Sequence, residues 1–233
     1  MTKPLLIYIL LMCSLAVSAQ TDTLTLECED TCKHVHGIDV SHYQGEVFWN
    51  HVGDNSHLQY VYIKATEGAT NVDERYADNI IDAHKHGLKV GSYHFFRVKA
   101  GLEAQLENFK SQCRPGDQDL IPMIDVESTN GMTTEQFCDS LLAFLQMVEQ
   151  AYKQKPLLYT FTNFYNKHLT GRFDDYPLMI AQYTEQEPVL ADERDIMMWQ
   201  YTAKGRIKGV NTSVDKSRFM GRHSMREIRF RHH

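Results

Sequence analysis

Leu120-Ile121-Pro122-Met123-Ile124-Asp125-Val126-Glu127 is an apolar run that closes on two carboxylic acids. It reads as a short strand, and side chains two apart on a strand share a face, so Asp125 and Glu127 stand side by side. Like charges that close cannot both ionise cheaply, and one of the pair is pushed to hold its proton. A protonated carboxyl beside an ionised one is the equipment of glycosidic bond cleavage. An isolated D-x-E also suits a solvated strand end, so the flanking sequence has to decide.

Outward from this run, strand-like and helix-like segments alternate. Upstream, Val35 to Ser41 and Tyr60 to Ala65 read as strands, the second rich in β-branched and aromatic residues. Asp73 to His86 has helical spacing, with Tyr76, Ile80 and Ala83 on one side and Gly87 as a stop signal. Leu88 to Phe96 is a further strand and Leu102 to Cys113 a further helix. Downstream, Thr133-Thr134-Glu135-Gln136 is a capping box for a helix running to about Lys153. Its buried stripe is expected at Phe137, Leu141, Phe144, Leu145, Val148 and Tyr152. Pro156 to Phe161 is the fifth strand, with a short helix after it. Leu178 to Tyr183, Ile196 to Thr202 and Gly209 to Asp215 then follow as three strands with little helix between them. The alternation predicts an α/β fold with a parallel sheet: an irregular TIM-like (β/α) barrel of five βα units followed by three strands.

The ends of the chain differ from this body. Lys3, the apolar stretch Leu5 to Val17 and the small residues Val17-Ser18-Ala19 form a signal peptide over residues 1–19, too short to span a bilayer comfortably. Residues 20–34 are an N-terminal extension, 35–220 one barrel domain, and 221–233 a basic tail. In that tail Arg222, Arg226, Arg229 and Arg231 are opposed only by Glu227; it is expected to be solvated, or to touch an anionic surface. The expected protein is secreted, periplasmic or extracellular, with no transmembrane anchor in the mature chain, and is a monomer. Hydrophobic content of 42% and charged content of 23% are ordinary for a globular protein. Loss of Lys3 takes the net charge from −6 to about −7, which argues against nucleic acid as a partner. Cys28, Cys32, Cys113 and Cys138 remain after cleavage, and the local disulfides Cys28–Cys32 and Cys113–Cys138 are expected in an oxidising compartment.

In a parallel barrel, chemistry gathers at the C-terminal mouths of the strands. Asp39 ends the first strand, Glu67 follows the second, Tyr93 and His94 end the third, and Asp125 and Glu127 end the fourth, while Asp215 closes the last. Aromatic residues accompany them: Tyr43, Tyr93, Phe95, Tyr159, Tyr183, Trp199 and Tyr201. Sugars stack their C–H faces on such rings and direct their hydroxyls to amides such as Gln182 and Gln200. Trp199 and Tyr201 share one face of their strand, so both point inward or both outward.

These residues fall in motifs that resemble the lysozymes of glycoside hydrolase family 25, which are N-acetylmuramidases. The matching stretches are His36-Gly37-Ile38-Asp39-Val40-Ser41 with Gln44-Gly45, Tyr62-Ile63-Lys64-Ala65-Thr66-Glu67-Gly68 and Gly91-Ser92-Tyr93-His94-Phe95-Phe96. Asp125-Val126-Glu127, Trp199-Gln200-Tyr201-Thr202 and the closing Val214-Asp215 complete an ordered set over about residues 35–219. The resemblance implies hydrolysis of the β-1,4 bond between N-acetylmuramic acid and N-acetylglucosamine in peptidoglycan, without cofactor or metal. It implies Glu127 as general acid, Asp39 and Asp215 as supporting carboxylates, and Asp125 as the residue that orients the substrate's 2-acetamido group. Covalent attack by Asp125, or activation of water, stays open as its alternative. Glu67, Tyr93, Tyr159, Gln182, Tyr183 and Trp199 are the expected substrate-binding residues, with peptidoglycan glycan strands as the partner. Phe48-Trp49 and Lys216-Ser217 depart from the family pattern and bear on subsite preference. Two rivals remain: a barrel that binds peptidoglycan without turnover, and a metal-dependent hydrolase suggested by His34-Val35-His36.

Overall fold

The computed structural model describes residues 35–232. The signal peptide, the N-terminal extension and the Cys28–Cys32 pairing lie outside the described residues. The strands are β1 (His36–Val40), β2 (Leu58–Glu67), β3 (Asn71–Val72), β4 (Lys89–Phe95), β5 (Met123–Asp125), β6 (Leu157–Phe161), β7 (Leu178–Ala181), β8 (Met198–Gly205) and β9 (Val214–Phe219). They lie in the order β1-β9-β8-β7-β6-β5-β4-β2-β3, and β1 also pairs with β2. Eight strands therefore close a barrel, with β3 left as a side ribbon on β2. Helices α1 (Trp49–Gly53), α2 (Tyr76–Lys85), α3 (Leu102–Gln112) and α4 (Thr134–Tyr152) cover the first half, and a short helical stretch follows β6. Among the described residues no helix separates β7, β8 and β9, which is the irregular barrel that the alternation predicts.

The last strand does not follow the expected course. It runs from Val214 to Phe219 rather than ending at Asp215, and it is antiparallel to both neighbours, β8 and β1. A reversed strand presents its N-terminal end where the parallel strands present their C-terminal ends. Asp215 thus reaches the mouth by opening its strand, directly opposite Asp39 in the β1–β9 ladder.

The side chains separate into two layers. Alternate residues facing the helices form one core, including Ile38, Val61, Ile63, Ile124, Leu158 and Ile180. The α4 stripe enters that core at all six expected positions, and the Thr133/Gln136 capping box opens the helix. Inward residues fill the barrel: Tyr60, Tyr62, Met123, Leu157, Tyr159, Met179, Met198 and Phe219 are all buried together. The two large tyrosines fit because Gly37 and Gly91 lie beside them. A Cβ would stand 2.1 Å from the Tyr60 ring at Gly37 and 2.4 Å from the Tyr62 ring at Gly91.

Two further expectations are corrected. The stretch after residue 220 is not a solvated tail. Ile228 and Phe230 are buried, Ile121 N–H donates to Ile228 O at 2.8 Å, and Phe230 N–H donates to Asp119 O at 2.7 Å. Alternation explains this: Ile228 joins the barrel interior and Phe230 the helix-facing core beside Tyr152, while arginines 229 and 231 are exposed. Cys113 and Cys138 do not bridge, and both are free, buried thiols. Cys113 lies by Tyr152, whose hydroxyl donates to its carbonyl, whereas the Cys138 thiol donates to His168 O at 3.3 Å. Among the described residues no helix is long and apolar enough to cross a membrane.

Candidate active site

At the C-terminal mouth, the inward positions change from apolar to polar. One step above Met123 stands Asp125, one above Tyr62 stands Lys64, and one above Met198 stands Gln200. Met123, Asp125, Lys64 and Gln200 line a cavity of about 170 Å³ together with Asp39, Glu127, Asp215, Tyr43, Tyr93, Phe95, Tyr159, Phe161 and Tyr183. All four candidate carboxyls thus share one cavity. Among the described residues no cluster of His, Cys, Asp and Glu suits a metal ion.

Burial dominates the electrostatics. Asp39 is 5% exposed, and burial lifts its carboxyl from 3.8 to about 8, against the lowering effect of a Gln200 hydrogen bond and with further raising by Asp215. Asp215 rises to about 6, through burial first and the Glu127 charge second. Asp125 and Glu127 titrate together, and burial raises both. The pair therefore retains a proton where isolated carboxyls would lose it. Asp39 Oδ1 and Asp125 Oδ1 are buried and have no hydrogen-bond partner among the described residues. Buried oxygens of that kind are left for a ligand's polar groups.

An amide organises one wall. Gln200 donates from Nε2 to Asp39 Oδ2 at 2.9 Å, and its Oε1 accepts from Tyr159 Oη at 2.8 Å and Tyr183 Oη at 2.7 Å. It fixes two tyrosines and one carboxyl at once. Lys64 holds the other wall, its Nζ donating to Glu67 Oε2 at 2.7 Å and lying 5.3 Å from the Phe95 ring centre. Lys64 draws the Asp125 and Glu127 pKa values down, against the effect of burial.

The expected substrate-binding residues divide. Tyr93, Tyr159 and Tyr183 line the cavity, whereas Glu67, Gln182 and Trp199 do not. Glu67 is occupied by two cations: Lys64, and Arg97, whose Nε donates to it at 2.9 Å. Gln182 closes its own loop, accepting from Thr162 Oγ1 and donating to Gln186 O. Trp199 lies on the outer face of β8, donating from its indole to Gln182 O, with Arg218 stacked 4.9 Å from its ring centre. His94 also turns outward, buried between Thr66 Oγ1 at 2.7 Å and Gln105 Oε1 at 3.2 Å. Lys64 and Gln200 stand in quoted motifs, and the alternation Tyr60, Tyr62, Lys64 is the signal that aims Lys64 inward.

A barrel with four carboxyls at one mouth invites comparison with known enzymes. Residues 38–210 match the family model described as Glycosyl hydrolases family 25. The chain belongs to this family. It is 30% identical over 220 residues to Lysozyme M1 of Streptomyces globisporus, covering 88% of this chain and 74% of that protein. It is 32% identical over 194 residues to the uncharacterized protein YegX of Escherichia coli strain K12, covering 80% and 70% of the two chains. A solved family 25 glycosyl hydrolase from Bacillus anthracis superposes with a TM-score of 0.74 at 31% identity, covering 80% of this chain and 89% of that one. The present protein is accordingly a glycoside hydrolase, a lysozyme of family 25. Its departures from the family pattern lie outside the cavity lining. Ser217 is buried in the barrel, 2.9 Å from the Tyr60 hydroxyl, and Phe48 is half exposed beside the loop at Gly209.

Proposed function

We propose that this lysozyme is exported and cleaves the β-1,4 bond from N-acetylmuramic acid to N-acetylglucosamine in peptidoglycan, with Glu127 as the general acid. The observation that carries the reading is the unequal placement of the pair. Glu127 is partly accessible at the cavity surface, whereas Asp125 lies buried beneath it with one oxygen open to a donor. Glu127 delivers its proton to the glycosidic oxygen as the bond to the leaving sugar breaks. Asp125 accepts the N–H of the 2-acetamido group and turns that group's oxygen onto the anomeric carbon, where it bonds as the leaving sugar departs; water then opens the cyclic intermediate and returns a proton to Glu127. Asp215 and Asp39 surround the developing positive charge. Because burial holds Asp39 protonated up to about 8, the cavity does not carry four full charges at neutral pH. The tyrosines fixed by Gln200 form the wall against which the sugar lies. The leader-like residues 1–19 support export to the compartment where peptidoglycan is found.

The test is clearing of a peptidoglycan suspension by wild type, Glu127→Gln and Asp125→Asn, with mass spectrometry of the products. Wild type should release fragments with reducing ends on N-acetylmuramic acid, and both variants should lose at least two orders of magnitude in rate. Equal clearing by wild type and Glu127→Gln removes Glu127 from the role. Reducing ends on N-acetylglucosamine refute the bond assignment.

A further inference from the structure

The most exposed aromatic ring at the cavity belongs to Tyr43, 74% open to solvent, yet it is held in place from below. It sits on a single helical turn, His42–Gln44, closed by a Ser41/Gln44 capping box. Gly45 leaves that turn with a φ of 66°, a conformation glycine adopts without strain. The Tyr43 ring packs on the His42 imidazole with centres 4.1 Å apart. The imidazole is anchored in turn: Nδ1 lies 2.7 Å from Asp73 Oδ2, which also accepts from His42 N–H at 3.0 Å. The Asp73 side chain is completely buried, and its other oxygen accepts from Arg75 N–H at 3.0 Å. On the opposite flank, Gln44 Nε2 donates to Ser213 O at 3.2 Å, tying the turn to the segment that carries Asp215.

A buried, fully bonded carboxylate is a demanding anchor for a surface imidazole. What it secures is a flat apolar face, fixed in orientation and left open beside the carboxyls. Pre-fixed aromatic faces bind well because little ordering entropy is lost on contact. We infer that Tyr43 is a stacking platform for one pyranose ring of the bound glycan, and that His42 and Asp73 are positioning residues for that platform. The inference rests on the glycan-cleaving assignment of the same cavity, and adds to it a specificity element at the mouth. The occupant is a sugar ring, whose C–H face suits the tyrosine face, with the phenol hydroxyl left in water.

Binding separates this inference from turnover. Glu127→Gln protein should be sedimented with insoluble peptidoglycan over a range of wall concentrations. Adding Tyr43→Ala should weaken that binding about tenfold, Tyr43→Phe and Tyr43→Trp should restore it to within twofold, and His42→Ala should fall between. In the turnover-competent background Tyr43→Ala should raise KM far more than it lowers kcat. The Tm of Tyr43→Ala should stay within about 2 °C of its parent, because an exposed ring contributes little to folding. Equal binding by the Glu127→Gln parent and its Tyr43→Ala derivative overturns the platform and leaves the cleavage assignment standing. Failure of the Glu127→Gln parent to bind overturns both. Loss of binding that Tyr43→Phe does not restore also overturns the platform, since the ring and not the hydroxyl is held responsible.

Discussion

Asp39→Asn keeps the outline of a protonated Asp39, keeps an oxygen for the Gln200 amide, and removes a titrating group from the cavity at the barrel mouth. The folded chain holds this carboxyl protonated up to about 8, against 3.8 for the ordinary group, so at neutral pH the folded state binds a proton that the unfolded chain has released. For such a raised acid, the stabilising contribution is complete below about 3.8 and is lost as pH climbs toward 8. At about 1.4 kcal/mol per pH unit, the window is worth about 6 kcal/mol, and about 4 kcal/mol falls between pH 4.5 and pH 7.5. Asp215, lifted to about 6, adds a loss of the same sign over the lower part of that range. Urea unfolding followed by circular dichroism at half-unit steps from pH 4.5 to 7.5 measures the slope. Wild type should lose stability across the range, and Asp39→Asn should lose about 4 kcal/mol less. Parallel slopes for the two proteins would refute the claim that Asp39 is held neutral by burial, and with it the charge balance assigned to the cavity.

Gln200→Leu strips Asp39 and the buried Tyr159 hydroxyl of their shared partner, so unfolding should become easier by about 2–6 kcal/mol, read as a fall in Tm. A change under about 1 kcal/mol would mean that both groups find substitutes. Lys64→Met removes the cation that draws the Asp125–Glu127 pair down, so the alkaline limb of the kcat/KM profile on soluble peptidoglycan should move to higher pH. An unmoved limb would detach Lys64 from the pair. Phe230→Ala deletes a buried ring that packs edge-on against Tyr152 and should cost about 3–5 kcal/mol in chemical denaturation. A solvated segment would give almost nothing.

Features governed by a period within one element were legible in the sequence. The α4 stripe and its capping box, the five helix-linked strands and the D-x-E pair each follow from spacing alone. The parity of β8 was not. Trp199 and Gln200 compete for the same cavity, and only the ladder registers with β7 and β9 turn Gln200 in and Trp199 out. Glu67 could be seen at a strand end, but its capture by Arg97 requires β2 and β4 to end side by side in the sheet. The reversal of β9 has no local mark either, since Asp215 reads equally well as the end of one strand or the start of another. The basic C-terminal stretch conceals Ile228 and Phe230 among arginines, so mean composition hides an alternation that buries one residue in each core.

The ladder in which Asp39 faces Asp215 joins the first strand of the barrel to the last. Contacts between residues so distant in sequence close late and slowly, because the loop entropy of nearly the whole barrel must be overcome first. The neighbouring parallel pairs from β2 to β8 can form step by step as the chain proceeds, but the catalytic mouth lacks one wall until β9 inserts backwards between β8 and β1. Recovery of activity in a refolding experiment is therefore a clock for the final closure. It should lag behind the return of helical signal by the time that the last strand takes to dock.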